Sequence, residues 1–288
     1  MTDITVIILT KDEEENIARC IDSVKSWTKR IIVVDSFSCD KTVDIARGMG
    51  AEVIQHEFIH YGAQFQYALD HTNIETRWVF RLDADEEVTQ ETKNEIEYLC
   101  LKHENTDVNG FVFRLQNVFM GKQIKHGFVH TLEKLCIFKF GKAYMEDRYF
   151  GEQLILTEGK SISLKSLSLH YPVRNLNFFV NKLNWYASRD AKDYLSREKE
   201  EQDYITLDRP TKIRRIAKYK VYYKMSPRIR SSLMFLFYYV IRLGFLDGIE
   251  GYYWNFLQTK FFRTLVDAKI HEVIEVGKEI GETGTWNY

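Results

Sequence analysis

Two carboxylates stand two residues apart in the segment RLDADEE, Asp83 and Asp85. On a strand, side chains at i and i+2 share a face. At a strand end the backbone can turn so that one acid meets a sugar hydroxyl and the other a metal ion. Mg2+ or Mn2+ beside a nucleotide is commonly held by one or two carboxylates together with the substrate's phosphates. Such an ion neutralises charge developing on a departing diphosphate. A lone pair of this kind is more often a solvated acidic turn ahead of a helix. Position tips the balance here, because two other polar groups stand at matching places. Thr10 and Lys11 close the apolar run ITVIILT (4–10), and Asp35 and Ser36 close RIIVVDS (30–36). In open α/β sheets ligands sit beyond the carboxyl ends of the strands, so one crevice can hold all three groups.

The elements that must carry these residues are short β-rich runs alternating with helical patterns. Residues 4–10 read as a strand buried on both faces, as parallel strands are. A helix is expected from about Glu13 to Ser26, with Ile17, Cys20, Ile21 and Val24 on one face, Asp12 as N-cap and Glu13–Glu15 at the positive end of its dipole. Further strands are expected at 30–36, AEVIQHE (51–57) and WVFRLDAD (78–85), and further helices after Asp40, at 63–71 and at about 90–102. This alternation predicts an α/β fold with a doubly wound, mostly parallel sheet. The longer runs GFVFRLQNVFMG (110–121) and KLCIFKF (134–140) predict antiparallel additions, and a helical extension follows from about Leu176. The expected division is a nucleotide-binding and catalytic domain over 1–172 and a helical, basic and aromatic extension over 173–288.

Apolar residues make up 45% of the 288 residues, enough for a sizeable core. The net charge of −1 argues against a general nucleic-acid binder. Four scattered cysteines without metal-ligand spacing read as free thiols in a reducing, cytoplasmic compartment. The start MTDITVIILT lacks the basic region and cleavage site of a signal peptide, and the longest apolar stretch, Leu233 to Ile241, is too short to span a bilayer. From Arg209 to Arg230, however, there are nine Lys/Arg and no acid. Followed by SSLMFLFYYVIRLGFL, this is the composition of an element lying in a membrane interface on anionic lipid, or of a helical subdomain or oligomer contact. His126, His130 and His170 are isolated, flank candidate acceptor loops and have no zinc-site spacing; they read as structural. Neither a G-x-G-x-x-G nor a P-loop is present.

The segments VIILTKDEEENIARCIDSV, IIVVDSFSCDKTVDIARGMGAEVI, QFQYALD and WVFRLDADEEV together resemble family 2 of the glycosyltransferases, the inverting group with the GT-A fold. Within it they are similar to bacterial enzymes of lipopolysaccharide-core, capsule and exopolysaccharide assembly. EDRYFGEQLIL, KLNWYASRDAKDYL and RLGFLDGIEGYYWNFLQTKFFRTLVDAKI extend the resemblance over nearly the whole chain. The resemblance implies that Thr10 and Lys11 line the nucleobase, Glu13 meets the ribose and Asp35 bonds the uracil edge or ribose. It also implies that Asp83 lies near the ribose and phosphates and that Asp85 coordinates the metal. Gln64 and Gln66 fall on a helix that faces the donor in the family. An inverting transfer needs a base for the acceptor hydroxyl, and the candidates are Glu146, Asp147 and Glu152. Glu152 is preferred, with Asp147 next. The subgroup's Asp-Glu-His is here Gly151-Glu152-Gln153, so only the middle acid is retained. The expected activity is metal-assisted transfer from a UDP-sugar to a surface-glycan acceptor, lipid-linked in one version, at the cytoplasmic face of the inner membrane. A sugar-nucleotide nucleotidyltransferase would carry a Gly-rich basic loop where this chain has the acidic TKDEEEN. A membrane-surface scaffold would need no acidic crevice.

Overall fold

The structure is a computed structural model that describes residues 1–145, 153–196 and 221–280. Its elements are β1 (Thr2–Thr10), α1 (Ile17–Lys25), β2 (Thr28–Asp35), α2 (Thr42–Gly48), β3 (Glu52–Gln55), α3 (Tyr61–His71), β4 (Trp78–Asp83), β5 (Glu86–Glu87) and α4 (Gln90–Lys102). There follow β6 (Val108–Phe119), the two-residue β7 (Lys122–Gln123), β8 (Thr131–Lys139), β9 (Ala143–Met145), β10 (Leu154–Leu156), β11 (Lys160–Ser163) and β12 (Ser168–His170). The C-terminal helices are α5 (Leu176–Ser196), α6 (Pro227–Leu236), α7 (Gly248–Asn255) and α8 (Phe262–Val276). Wider π-type turns occupy Phe237–Ile241 and Phe256–Phe261.

The chain divides into two compact units, Met1–Val118 with Thr131–Pro172, and Phe119–His130 with Val173 onward. In the first, the main sheet runs β3-β2-β1-β4-β8-β6-β12-β5. The β3-β2-β1-β4 half is parallel throughout. β8 joins β4 and β6 antiparallel. The expected mixture of parallel core and antiparallel addition is therefore present, as is the helical extension.

Strand β1 shows why the parallel half holds. Ile4, Val6 and Ile8 pack on one face with α1, α2 and α4, and Ile7 and Leu9 pack on the other with Phe65 and Ala68 of α3. A strand covered on both faces must be apolar at odd and even positions alike, which is what ITVIILT supplies.

The first helix begins later than expected, at Ile17, and Asp12 is not its cap. Asp12 adopts a left-handed backbone (φ 51). Its carboxylate accepts the Cys39 N–H (2.6 Å), and its own N–H donates to Ser38 Oγ (2.8 Å). The N–H groups of Glu13 and Glu14 donate to Thr42 Oγ1 and Asp40 Oδ2. With those donors satisfied by the neighbouring loop, residues 12–16 gain nothing from entering the helix.

The second unit packs Phe119, Ile124, Phe179, Leu183 and Trp254 into one cluster, and Ala187, Ala191, Val266 and Ile270 into another. Its segment 119–130 is gripped by two buried polar side chains. Asp247 accepts the N–H groups of Lys125 (2.9 Å) and His126 (2.8 Å) and faces His126 Nδ1 (2.9 Å). Asn255 accepts the Phe128 N–H (2.9 Å) and donates to the Gly251 carbonyl (2.7 Å).

Candidate active site

Sheet register brings the three polar strand ends to one edge. Thr10 pairs with Asp35 across β1 and β2, and Leu9 pairs with Asp83 across β1 and β4. With neighbouring strands about 4.8 Å apart, Asp35 and Asp83 flank the end of β1 at about 10 Å from each other.

On the β2 side the loops after β1 and β2 lock together. Asp35 is fully buried, and its carboxylate accepts from the Ser38 N–H (3.0 Å), from the Ser38 hydroxyl and from Gln55 Nε2 (2.9 Å). Lys11 Nζ donates to the Phe37 carbonyl (2.6 Å), and Phe37, itself left-handed, stands half-exposed above. Glu13 accepts from Asn16 Nδ2 (2.8 Å). Thr10 is buried, and its Oγ1 has no hydrogen-bond partner. Buried hydroxyls are nearly always bonded, so this one, at a strand end, is available to bond a ligand atom. Gln64 is also buried, but it braces the protein, donating to Ser36 Oγ and to the His56 carbonyl (2.9 Å). Gln66 bonds Asp70 on its own helix.

On the β4 side the acids are sorted by their partners. The antiparallel register sets Phe80 opposite Ile137, and continuing it three residues sets Lys134 against Asp83. Lys134 Nζ lies 2.5 Å from Asp83 Oδ2 and 2.5 Å from Glu86 Oε1. Glu86 Oε2 accepts the Asp83 N–H (3.1 Å), which fixes the turn, and Arg81 lies 3.5 Å from Asp83 Oδ1. Burial alone would raise the Asp83 carboxyl. Lys134, and after it Arg81, outweigh burial and hold it well below the usual carboxylate range. Burial opposes the charge on Lys134 too, but the two acids keep it firmly protonated. Glu86, 1% exposed, is pushed up to about 7, chiefly by burial, with Lys134 opposing and Asp83 adding to the rise. One ammonium thus serves two acids: Asp83 stays ionised, and Glu86 is the acid that takes up a proton.

Asp85 turns the other way. β12 lies between β6 and β5, with His170 in register with Asn117 on one side and Glu86 on the other. His170 Nε2 stands 3.2 Å from Asp85 Oδ2, and its Nδ1 stands 2.8 Å from Asn117 Oδ1. An amide oxygen only accepts, so Nδ1 carries a proton, and in the neutral ring the Nε2 lone pair points at Asp85. Burial lowers the His170 pKa, but the Asp85 charge and hydrogen bond more than restore it, leaving a net rise. A carboxylate oxygen and an imidazole nitrogen side by side are a sound pair of ligands for a divalent cation. The Asn117 contact is the outer-shell bond that fixes a metal-binding tautomer. Among the described residues no group of three or more His, Cys, Asp or Glu forms a complete cage. A cation here would rely on phosphate oxygens and water for its other ligands.

Comparison with known proteins gives the family. The family model described as "Glycosyl transferase family 2" matches residues 5–152. The chain belongs to glycosyltransferase family 2. It is 34% identical over 209 residues to an uncharacterized glycosyltransferase of Rickettsia typhi, covering 69% of this chain and 70% of that protein. A Rickettsia felis glycosyltransferase is 27% identical over 290 residues, covering 97% of this chain and 93% of its own length. Among solved structures, glucosyl-3-phosphoglycerate synthase from Mycobacterium tuberculosis, in complex with Mn2+, UDP and glucosyl-3-phosphoglycerate, matches over 41% of this chain and 44% of that one. Its identity is 21% and its TM-score 0.31, a partial likeness.

This family 2 enzyme is a glycosyltransferase. Of its sequence-predicted residues, Thr10, Lys11, Glu13 and Asp35 gather at the ends of β1 and β2, and Asp83 and Asp85 at the end of β4. Glu146, Asp147 and Glu152 lie outside the described residues. Lys134, Glu86 and His170 were not singled out by the sequence as members of the site. They reach it through pairing with β4 and β12, and the one local signal was a lysine opening the apolar run KLCIFKF.

Proposed function

We propose that the enzyme transfers a sugar from a nucleoside diphosphate-sugar, a UDP-sugar, to a hydroxyl of a growing surface glycan by single displacement with inversion. The observation that carries this reading is the division of labour at the β4 end. Lys134 neutralises Asp83, while Asp85 is paired separately with His170, its Oδ2 3.2 Å from the ring Nε2.

In this reading the nucleobase and ribose lie over Thr10, Lys11, Glu13 and Asp35. Asp83, held ionised and immobile by Lys134, accepts hydrogen bonds from donor hydroxyls. Asp85 and His170 hold Mg2+ or Mn2+, which when bound supplies positive charge to the leaving diphosphate. Glu152, with Asp147 as the second candidate, takes the proton from the acceptor hydroxyl as its oxygen attacks the anomeric carbon opposite the departing phosphate oxygen. The acceptor in this reading is a lipid-linked glycan at the cytoplasmic face of the inner membrane. The exposed apolar and basic character of the second unit supports that placement.

A thermal-shift screen of nucleotide-sugars with and without Mn2+ tests the donor half. The expected result is stabilisation by one UDP-sugar that depends on Mn2+ and disappears in a folded Asp85→Ala variant. Full metal-dependent binding and turnover in that variant would sink the mechanism.

A further inference from the structure

The second unit buries polar groups and exposes apolar ones along α6 and α7. A helix at a water surface normally does the opposite. Here Arg230, Ser231, Asp247, Asn255, Thr259 and Asp267 are buried. They satisfy one another or the backbone: Arg230 Nε donates to Asp267 Oδ2 (2.8 Å), and the Thr259 hydroxyl donates to the Asn255 carbonyl (2.5 Å). Meanwhile Ile229, Leu233, Leu236, Phe237 and Val240, spaced three, four or one apart along one face, are 45–52% exposed. The connecting turn adds Ile241 (67% exposed) and Leu246 (55%), and α7 adds Ile249 (57%). A continuous apolar face of this kind is far more than the scattered single residues that any surface carries.

Charge identifies the occupant. From Val221 to Leu246 the chain has no acid, and Lys224, Arg228 and Arg242 are exposed. A second copy seated on this face by two-fold symmetry would bring the same cations together without acids to balance them. A leaflet of anionic lipid offers hydrocarbon to the apolar residues and phosphate to the cations. A single straight span of the bilayer does not fit. Among the described residues no single helix is long and apolar enough, and the axis bends by 71° between Pro227–Ile241 and Gly244–Val276. The first of these arms is about 22 Å long against a hydrocarbon core of about 30 Å.

We propose that α6, the turn after it and the start of α7 form a monotopic anchor, its apolar face embedded in one leaflet of an anionic membrane. This deepens the membrane attachment of the proposed function and rests on it, replacing surface adsorption by insertion.

The test is flotation of the full-length protein with vesicles of phosphatidylethanolamine and phosphatidylglycerol. Wild type floats and remains bound in about 1 M NaCl, because screening weakens charge attraction but not apolar insertion. A Leu236→Glu/Phe237→Glu/Ile241→Glu variant loses vesicle binding by about tenfold or more, with its melting and UDP-sugar response intact. As a check independent of the triple variant's folding, a Phe237→Trp variant is quenched by lipids brominated in the acyl chains. Release by salt, flotation of the triple variant, absence of acyl quenching, or a soluble dimer that the triple variant dissociates would each overturn the anchor. A UDP-sugar response without flotation refutes the anchor alone, and flotation without a UDP-sugar response refutes the transferase reading alone.

Discussion

Replacing Lys134 by methionine removes the ammonium that lies 2.5 Å from both Asp83 and Glu86 while keeping a chain of similar length. Removing one member of a buried ion pair typically costs about 3–5 kcal/mol. Lys134 and Asp83 retain 28% and 31% exposure, so water relieves part of this loss, and about 2–3 kcal/mol is expected. For a unit of this size that lowers the melting temperature by about 5–10 °C. The pH dependence is more diagnostic. Asp83 is depressed in the fold, so its contribution is present above its unfolded pKa and lost as pH falls through the folded value. Glu86 is raised to about 7, so its proton-linked contribution is present below its unfolded value and lost as pH rises through about 7. Without Lys134 the Asp83 contribution goes, and the two acids repel until one takes a proton. The gap between wild type and variant is therefore widest near pH 8 and narrows toward pH 5, as read by scanning fluorimetry across that range. A second change, Glu86→Gln, recovers more than half of the loss by removing the surplus charge. A single variant within about 2 °C of wild type at pH 8, a gap that widens on acidification, or no recovery in the double variant would refute this account.

Three further changes probe other parts of the molecule. His170→Gln removes the imidazole beside Asp85; titrating Mn2+ against the UDP-sugar thermal shift is expected to show metal affinity weakened by about 10–100-fold. Glu152→Gln is expected to lower kcat by about 10²–10⁴-fold with little change in donor KM; an unaltered kcat would remove Glu152 as the base. Gly127 has φ +81, and a Cβ there would meet the Asn255 amide that bonds Phe128 N–H. Gly127→Ala should cost about 2–3 kcal/mol in a denaturant melt of the second unit, from backbone strain and the displaced hydrogen bond.

What could be read ahead of the structure follows the range of the forces involved. β1 was legible because burial on both faces writes itself as an unbroken apolar run, and the meeting of Thr10, Asp35 and Asp83 follows once parallel register is assumed. The start of α1 was misread because the acids at 13–15 and the cap-like Asp12 are local signals. They were overruled by hydrogen bonds that the backbone N–H groups of residues 12–14 donate to Ser38, Asp40 and Thr42, about 26–29 residues away. Lys134 was marked only as a lysine opening an apolar run, and His170 read as an isolated structural histidine. Their roles come from strand pairings that bridge 51 residues to Asp83 and 53 to Asn117. The composition of 233–241 was visible in the sequence, but its inverted burial was not. That depends on Asp267 lying across from Arg230, a pairing separated by 37 residues.

The grip of Asp247 and Asn255 on residues 125–128 also sets a timetable. These bonds join positions 121–127 apart in the chain. At about 5–20 residues per second, the ribosome completes the holding residues some 6–25 s after the held ones. Until then the 119–130 segment has none of these partners, and its buried Phe119 and Ile124 lack the core formed with Trp254. A fragment begun at Val173 lacks the same strand of its own core. The helical half is accordingly not a detachable module, and dissecting the enzyme at residue 172 should yield two fragments that become soluble only when produced together.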